Sequence, residues 1–233
     1  MTGASALDVL FFVAMPYASL VLFFTGTIVR YRSRPFTFSS LSSQFLENKR
    51  HFWAEVPFHY GVLVVLAGHV VAFLTPGVIL SWNSAPLRLY VLEISSLAFA
   101  LLTLIGIVNV VRRRLADAKA RVTTTPTDWV LYGLLLVQVG TGILVALTTT
   151  WGSSWFAAVL SPYLWSILTF SPDVAFVAPL PFAIKAHIVG LWALLALFPF
   201  TRLVHVLVVP NPYLWRRPQV VRWYGIRRGA DRS

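Results

Sequence analysis

The sequence predicts an all-α, polytopic membrane protein: five transmembrane helices in one bundle, with the N-terminus outside and the C-terminus in the cytoplasm. Composition is the first reason. The 233 residues are 58% hydrophobic and only 12% charged, with a mean hydropathy of +0.75, outside the range of a soluble globular domain. The second reason is length: a helix needs roughly 20 apolar residues to cross a hydrocarbon core. Such runs occur at about 6–28, 55–80, 89–111, 128–150 and 181–209. The third is continuity, because membrane barrels show short alternating segments and these runs do not alternate. One domain over residues 1–233 follows, ending in a cytoplasmic tail at 210–233.

The first run has no Lys or Arg before Arg30 and exceeds the usual length of a signal-peptide core, so it reads as a span. Between the first and second runs lie Arg30, Arg32, Arg34, Lys49 and Arg50, with His51 as a solvated loop residue. The connection between the second and third has only Arg88, whereas that between the third and fourth carries Arg112, Arg113, Arg114, Lys119 and Arg121. Thr125-Pro126-Thr127-Asp128 then supplies a capping threonine, a first-turn proline and an acid at the positive end of the fourth helix. Residues 151–180 contain no basic residue and read as an external excursion with one short helix lying on the membrane. After the fifth run come Arg216, Arg217, Arg222, Arg227, Arg228 and Arg232.

Lys and Arg are retained on the cytoplasmic side during insertion, and this count sets the orientation given above. Trp53, Trp82, Trp129, Trp151 and Trp215 fall near span ends, where an indole prefers to sit, and Trp192 is mid-span. The net charge of +11 is accounted for by topology and contact with anionic membrane lipid, so no nucleic-acid partner is expected. The absence of cysteine excludes disulfides, thiolate-bound clusters and covalently attached haem within this chain. Any iron must be held by nitrogen or oxygen.

Four of the five histidines, His59, His69, His187 and His205, lie inside the second and fifth runs. Ionisable residues at membrane depth are costly and are retained for function. The two runs cross in opposite directions, so at about 1.5 Å per residue His59 and His205 fall near the cytoplasmic side, and His69 and His187 nearer the outer side. Each pair offers two imidazoles to one flat iron porphyrin, and two haem b groups stacked across the bilayer is the economical reading. Two axial ligands leave iron no position for oxygen or substrate, so such a haem carries electrons.

Spacing fits this incompletely. His187 and His205 are five turns apart and share a face, about 27 Å apart, whereas His59 and His69 are about 80° out of phase and about 15 Å apart. Helix tilt and a kink at Pro199 would reconcile them. Gly61, Gly68 and Gly190 either give a macrocycle room or let helices pack closely. Arg202, one turn before His205, and the cluster Arg112 to Arg114 are candidates to neutralise haem propionates, although anchoring to headgroups explains the cluster equally well. A different reading makes the histidines a proton relay or metal site in a transporter, but the chain lacks paired inverted repeats and interrupted helices.

The words around these histidines resemble the gamma subunit of respiratory nitrate reductase, a di-haem cytochrome b. They are Ser42-Ser43-Gln44, Phe58-His59-Tyr60-Gly61, Gly68-His69 with Leu74-Thr75-Pro76, Arg121 to Thr125, Lys185-Ala186-His187, and Phe198 to His205. The resemblance spans nearly the whole chain, is weakest in the third helix and the external loop, and is most specific in the last stretch. It implies a proximal haem on His59 and His205, a distal haem on His69 and His187, and oxidation of quinol (menaquinol or ubiquinol) near the distal haem. Electrons then pass inward to an iron–sulfur beta subunit and a molybdenum-containing alpha subunit that reduces nitrate in the cytoplasm. It places the subunit in the cytoplasmic membrane and, for the quinol site, points to Gly68, His69 and Arg88. Arginine is harder to deprotonate than lysine, so Arg88 is expected to hold the quinone oxygen rather than shuttle its proton. Glu93 is a candidate proton acceptor, or a carboxylate reaching the headgroups. Related di-haem anchors of sulfur or heterodisulfide reductases are the alternative, since the acceptor chemistry lies in a partner.

Overall fold

Proline decides where the apolar runs become helices and where those helices break. The computed structural model describes residues 5–34 and 48–208, the side chains of 48–54, 119 and 208 excepted. The expectations for Lys49, Arg50, His51, Trp53, Lys119, the Ser42-Ser43-Gln44 stretch and the tail 210–233 lie outside what is described. Helix α1 (Ala6–Ser33) starts in a reciprocal cap between Ser5 and Asp8. Pro16 has no N–H, so the Phe12 carbonyl loses its helical partner. The helix widens into a π-type turn over Leu10–Ala14, and the Tyr163 hydroxyl donates to the Phe12 carbonyl at 2.9 Å. Burial pushes the Tyr163 pKa up, which keeps that hydroxyl a donor.

The second run is not one helix over 55–80. It forms α2 (Asn48–Leu74) and α3 (Pro76–Trp82), separated at Thr75, whose backbone (φ −130°, ψ 57°) leaves the helical region ahead of Pro76. The break strands two carbonyls, and both are capped from elsewhere in the chain. Ser161 Oγ donates to Ala72 O at 3.1 Å and Trp165 Nε1 donates to Phe73 O at 3.1 Å. Helix α4 (Pro86–Ala116) extends the third run at both ends. A short helix, α5 (Ala118–Val122), leads to α6 (Pro126–Thr148). The start of α6 is as the sequence predicts: Asp128 N–H donates to Thr125 Oγ1, and Thr125 N–H donates back to the Asp128 carboxylate at 2.8 Å.

Residues 151–180, expected as an external excursion with one short helix, hold two. They form α7 (Gly152–Trp155), a π-type turn (Phe156–Leu160) and α8 (Ser161–Leu168), followed by a 3₁₀ turn at Val174–Phe176. This arm is built into the bundle. Tyr163, Ile167 and Val177 are fully buried and pack with Phe12, Ile184, Ile188 and Trp192 in the larger core cluster. The physical reason is that the arm carries both an apolar face and the donors that the broken helices need. In lipid, packing and satisfied backbone groups drive association, more than apolar area does.

The fifth run also departs from a single helix over 181–209. Helix α9 (Phe182–Leu197) gives way to 3₁₀ turns at Phe198–Phe200 and Arg202–Val208, with Thr201 extended between them. The kink expected at Pro199 is therefore a full interruption. Arg30 Nη1 from α1 satisfies the released carbonyls of Pro199 and Thr201 at 2.7 and 2.9 Å.

Five helices are long and apolar enough to cross a membrane, and no strand occurs among the described residues. Helices α2 and α4 pack most extensively. A Cβ on Gly106 would lie 2.4 Å from the Phe58 nitrogen, and one on Gly61 would lie 2.7 Å from the Thr103 nitrogen. Helix α6 joins α4 to α9, and α9 packs on α1, whereas α2 and α9 share little close backbone contact among the described residues. One end of the bundle gathers Arg30, Arg114, Arg121 and Arg202. The other holds the Lys185–Asp8 ion pair (2.9 Å), Arg88 and Glu93.

Candidate functional site

The four intramembrane histidines come together in the two expected pairs, across the gap between α2 and α9. The ring centres of His59 and His205 are 6.2 Å apart, and those of His69 and His187 are 6.4 Å apart. An imidazole nitrogen binds a first-row metal at about 2 Å, with the ring centre about 1.2 Å behind it, so two rings on opposite sides of one ion stand about 6.4 Å apart. Both pairs match that span. Their planes differ in mutual angle, at 68° for His59/His205 and 45° for His69/His187. Moving His205 off the helix and onto a 3₁₀ turn removes the spacing conflict, because it no longer has to share the axis and pitch of His187.

Each ring is also tied down by the nitrogen that faces away from its partner. His59 Nδ1 lies 2.7 Å from Glu55 O, His69 Nδ1 2.8 Å from Val65 O, His187 Nδ1 3.1 Å from Gln138 O, and His205 Nδ1 2.6 Å from Arg202 O. A carbonyl only accepts, so Nδ1 carries the proton in all four, and Nε2 presents its lone pair. This is the tautomer of a metal-ligating histidine whose other nitrogen is held by a backbone carbonyl. Among the described residues no three of His, Asp and Glu converge. Two donors suit a group that brings its own equatorial ligands, and a porphyrin does so; a bare ion needs about four or more.

The surroundings of the pairs differ. At His187, Thr141 Oγ1 also approaches Nδ1 (3.2 Å), and Gln138 Nε2 lies 3.4 Å from Nε2. A Cβ on Gly142 would come within 2.9 Å of the ring. Gln138 Oε1 is buried with no hydrogen-bond partner. His69 is exposed on α2 and has the edge of Phe156 against it, 5.2 Å between centres and 88° between planes. At the other pair, the Glu55 carboxylate stands 3.9 Å from His59 Nδ1. Arg202 makes a two-point contact with Asp128, from Nε to Oδ1 at 2.7 Å and from Nη2 to Oδ2. Burial works against the Arg202 charge, but Asp128 outweighs it and holds the pKa above the ordinary arginine value.

The remaining predicted residues separate. Gly61 packs against α4, and Gly190 is covered by Gln138, so both serve close packing. Nothing lies within 4 Å of a Cβ on Gly68, which leaves that face of α2 open. Arg88 sits at the start of α4 over the Trp82 ring (5.4 Å), bonded to Ser81 O and Ser84 Oγ. It lines a cleft of about 330 Å³ with Gly77, Val78, Ser81 and Trp82, which includes neither Gly68 nor His69. The Glu93 carboxylate accepts from Ser153. Arg114 is buried and holds Ala120 O, Thr123 and Thr124, so it fastens the connection between α4 and α6. Sequence reasoning missed Gln138, Thr141, Gly142 and Phe156. Gln138 and Thr141 did carry a signal: two uncharged polar residues one turn apart in an otherwise apolar span.

Residues 8–224 match the family described as nitrate reductase gamma subunit. The chain is 33% identical over 211 residues to the nitrate reductase gamma chain of Bacillus subtilis (strain 168), covering 89% of this chain and 95% of that one. It is 32% identical over 221 residues to the respiratory nitrate reductase 1 gamma chain of Escherichia coli (strain K12), covering 93% and 97%.

Proposed function

The chain belongs to the nitrate reductase gamma subunit family, and from that premise we propose that it is the quinol-oxidising, di-haem membrane subunit of a nitrate reductase. The observation that carries the haem reading is the geometry of the two imidazole pairs, 6.2 and 6.4 Å between ring centres with every Nδ1 on a backbone carbonyl. His59 and His205 would hold one haem b and His69 and His187 the other. When bound, two such haems supply one-electron transfer between the two ends of the bundle.

The protein's own contribution is to fix the ligands and exclude other chemistry. With two histidines holding each haem, the iron would be closed to oxygen. The Arg-rich end faces the cytoplasm of a cell membrane, following the positive-inside rule, and docks the iron–sulfur and molybdenum subunits. The opposite end carries His69, His187 and the Arg88 cleft, and quinol is oxidised there. Arg88 is bonded to Ser81 and Ser84 and, as a guanidinium donor, holds a quinone oxygen. Gly68 leaves the approach to His69 open.

A dithionite-reduced minus air-oxidised spectrum of the purified protein, with haem quantified per chain, tests the reading. Two b-type haems per chain are expected. A protein that purifies folded from haem-replete cells and shows no b-type bands would eliminate it.

A further inference from the structure

Glu93 and Phe156 lie on different elements, and one short chain of bonds joins them to His69. Helix α7 begins without a local cap: Trp151 stands in the left-handed region (φ 58°, ψ 42°), and no side chain of its own satisfies the first turn. A non-glycine residue held there is strained and needs surroundings that hold it. Glu93 on α4 supplies them. Its Oε1 accepts the Ser153 backbone N–H at 3.1 Å and the Ser153 hydroxyl at 2.9 Å. Asn83, buried at the end of α3, donates to Ser153 Oγ and Ser154 Oγ, both at 2.9 Å. Three segments thus meet on one serine. Phe156 closes the turn, its N–H donating to Gly152 O and Ser153 O. Its ring then meets the imidazole of His69 in a perpendicular contact.

We infer that Glu93 is a positioning residue for His69: through Ser153 it anchors α7, and α7 holds the Phe156 ring perpendicular to the imidazole and restrains its orientation. The inference rests on the proposal that His69 and His187 hold a haem. The other pair has no such lever among the described residues, where His59 meets only its sequence neighbour Phe58 (5.4 Å between centres) and His205 in ring contact. Glu93 therefore affects one haem and not the other. Both donors engage the same carboxylate oxygen, Oε1.

The test uses the full chain in membranes, with redox titration of the two b-type haems and electron paramagnetic resonance of the oxidised state, whose anisotropy follows the angle between axial imidazole planes. Glu93→Ala and Phe156→Ala are each expected to shift the His69/His187 haem signal and to lower retention of that haem about tenfold. The His59/His205 signal stays in place and reports that the chain has folded. Glu93→Gln keeps an acceptor oxygen and should restore the wild-type spectrum, and Glu93→Ala/Phe156→Ala should do no more than either change alone. Unchanged signals in both alanine variants, with both haems present, would overturn the inference. So would a Glu93→Gln variant whose His69/His187 haem signal shifts as far as that of Glu93→Ala. A wild-type protein without haem would instead overturn the proposed function, so the two failures are distinguishable.

Discussion

Replacing Arg202 with leucine tests how the interrupted end of the fifth span is held. The Asp128 side chain is 4% exposed and that of Arg202 17%, and their two-point contact is a buried ion pair. Removing one partner of such a pair strands the other charge and costs about 3–5 kcal/mol. For a chain of this size each kcal/mol moves the thermal midpoint by about 2–4 °C, so Arg202→Leu should melt roughly 6–20 °C lower. Asp128→Asn also loses the charge but keeps an acceptor for Thr125, so it should cost less. The double variant leaves no charge unpaired and should lose clearly less than the sum of the two. A second readout is specific to place. His205 is held by the Arg202 carbonyl, so loosening Arg202–Val208 should release the His59/His205 haem while the other persists. Thermal scans in one detergent, followed at haem wavelengths, measure both. A shift under about 2 °C, or strict additivity in the double variant, would refute the buried-pair argument.

His187→Ala and His69→Ala should each remove one haem and abolish quinol-driven electron delivery, whereas an artificial donor to the partner subunits still supports nitrate reduction; persistence of both haems would refute the pairing. Arg88→Ala should raise the KM for quinol about tenfold with both haem spectra unchanged, read in a steady-state quinol assay. Gly106→Ala puts a methyl 2.4 Å from the α2 backbone and should destabilise by about 3 kcal/mol, whereas Gly68→Ala meets nothing within 4 Å and should fold normally; thermal scans compare them. Gly142→Ala presses on the His187 ring at 2.9 Å and should disturb only the His69/His187 haem spectrum, at a cost of about 1–3 kcal/mol.

Which parts were legible in the sequence follows from which forces act locally. Five spans, the Thr125–Asp128 cap and the two histidine pairs depend on composition, capping chemistry and depth, all readable along the chain. The breaks at Thr75 and Thr201 were half legible. Pro76 and Pro199 mark them, but whether a proline bends a helix or ends it depends on who satisfies the freed carbonyls, and Ser161, Trp165 and Arg30 are distant in sequence. How the arm at 152–168 packs is hidden in the sequence for the same reason. Its lack of charge fits a surface helix as well as a buried one, and only the orphaned carbonyls of Phe12, Ala72 and Phe73 decide between them. Arg202 was expected beside a propionate. Its contact is with Asp128, which the capping motif had already assigned a different task.

The anchoring of the four rings divides by element. His59, His69 and His205 each bond a carbonyl three or four residues back, so their tautomer is set within their own turn. His187 alone bonds a carbonyl of another helix, Gln138 on α6, at a site that Gly142 must leave bare. The ligands of the His59/His205 pair are thus locally fixed, whereas the other pair depends on α6 through His187 and on the arm through Phe156. A ring held by another element follows displacements of that element directly, and a ring held by its own turn follows only the segment that carries it. That asymmetry is built into the fold before any cofactor is considered.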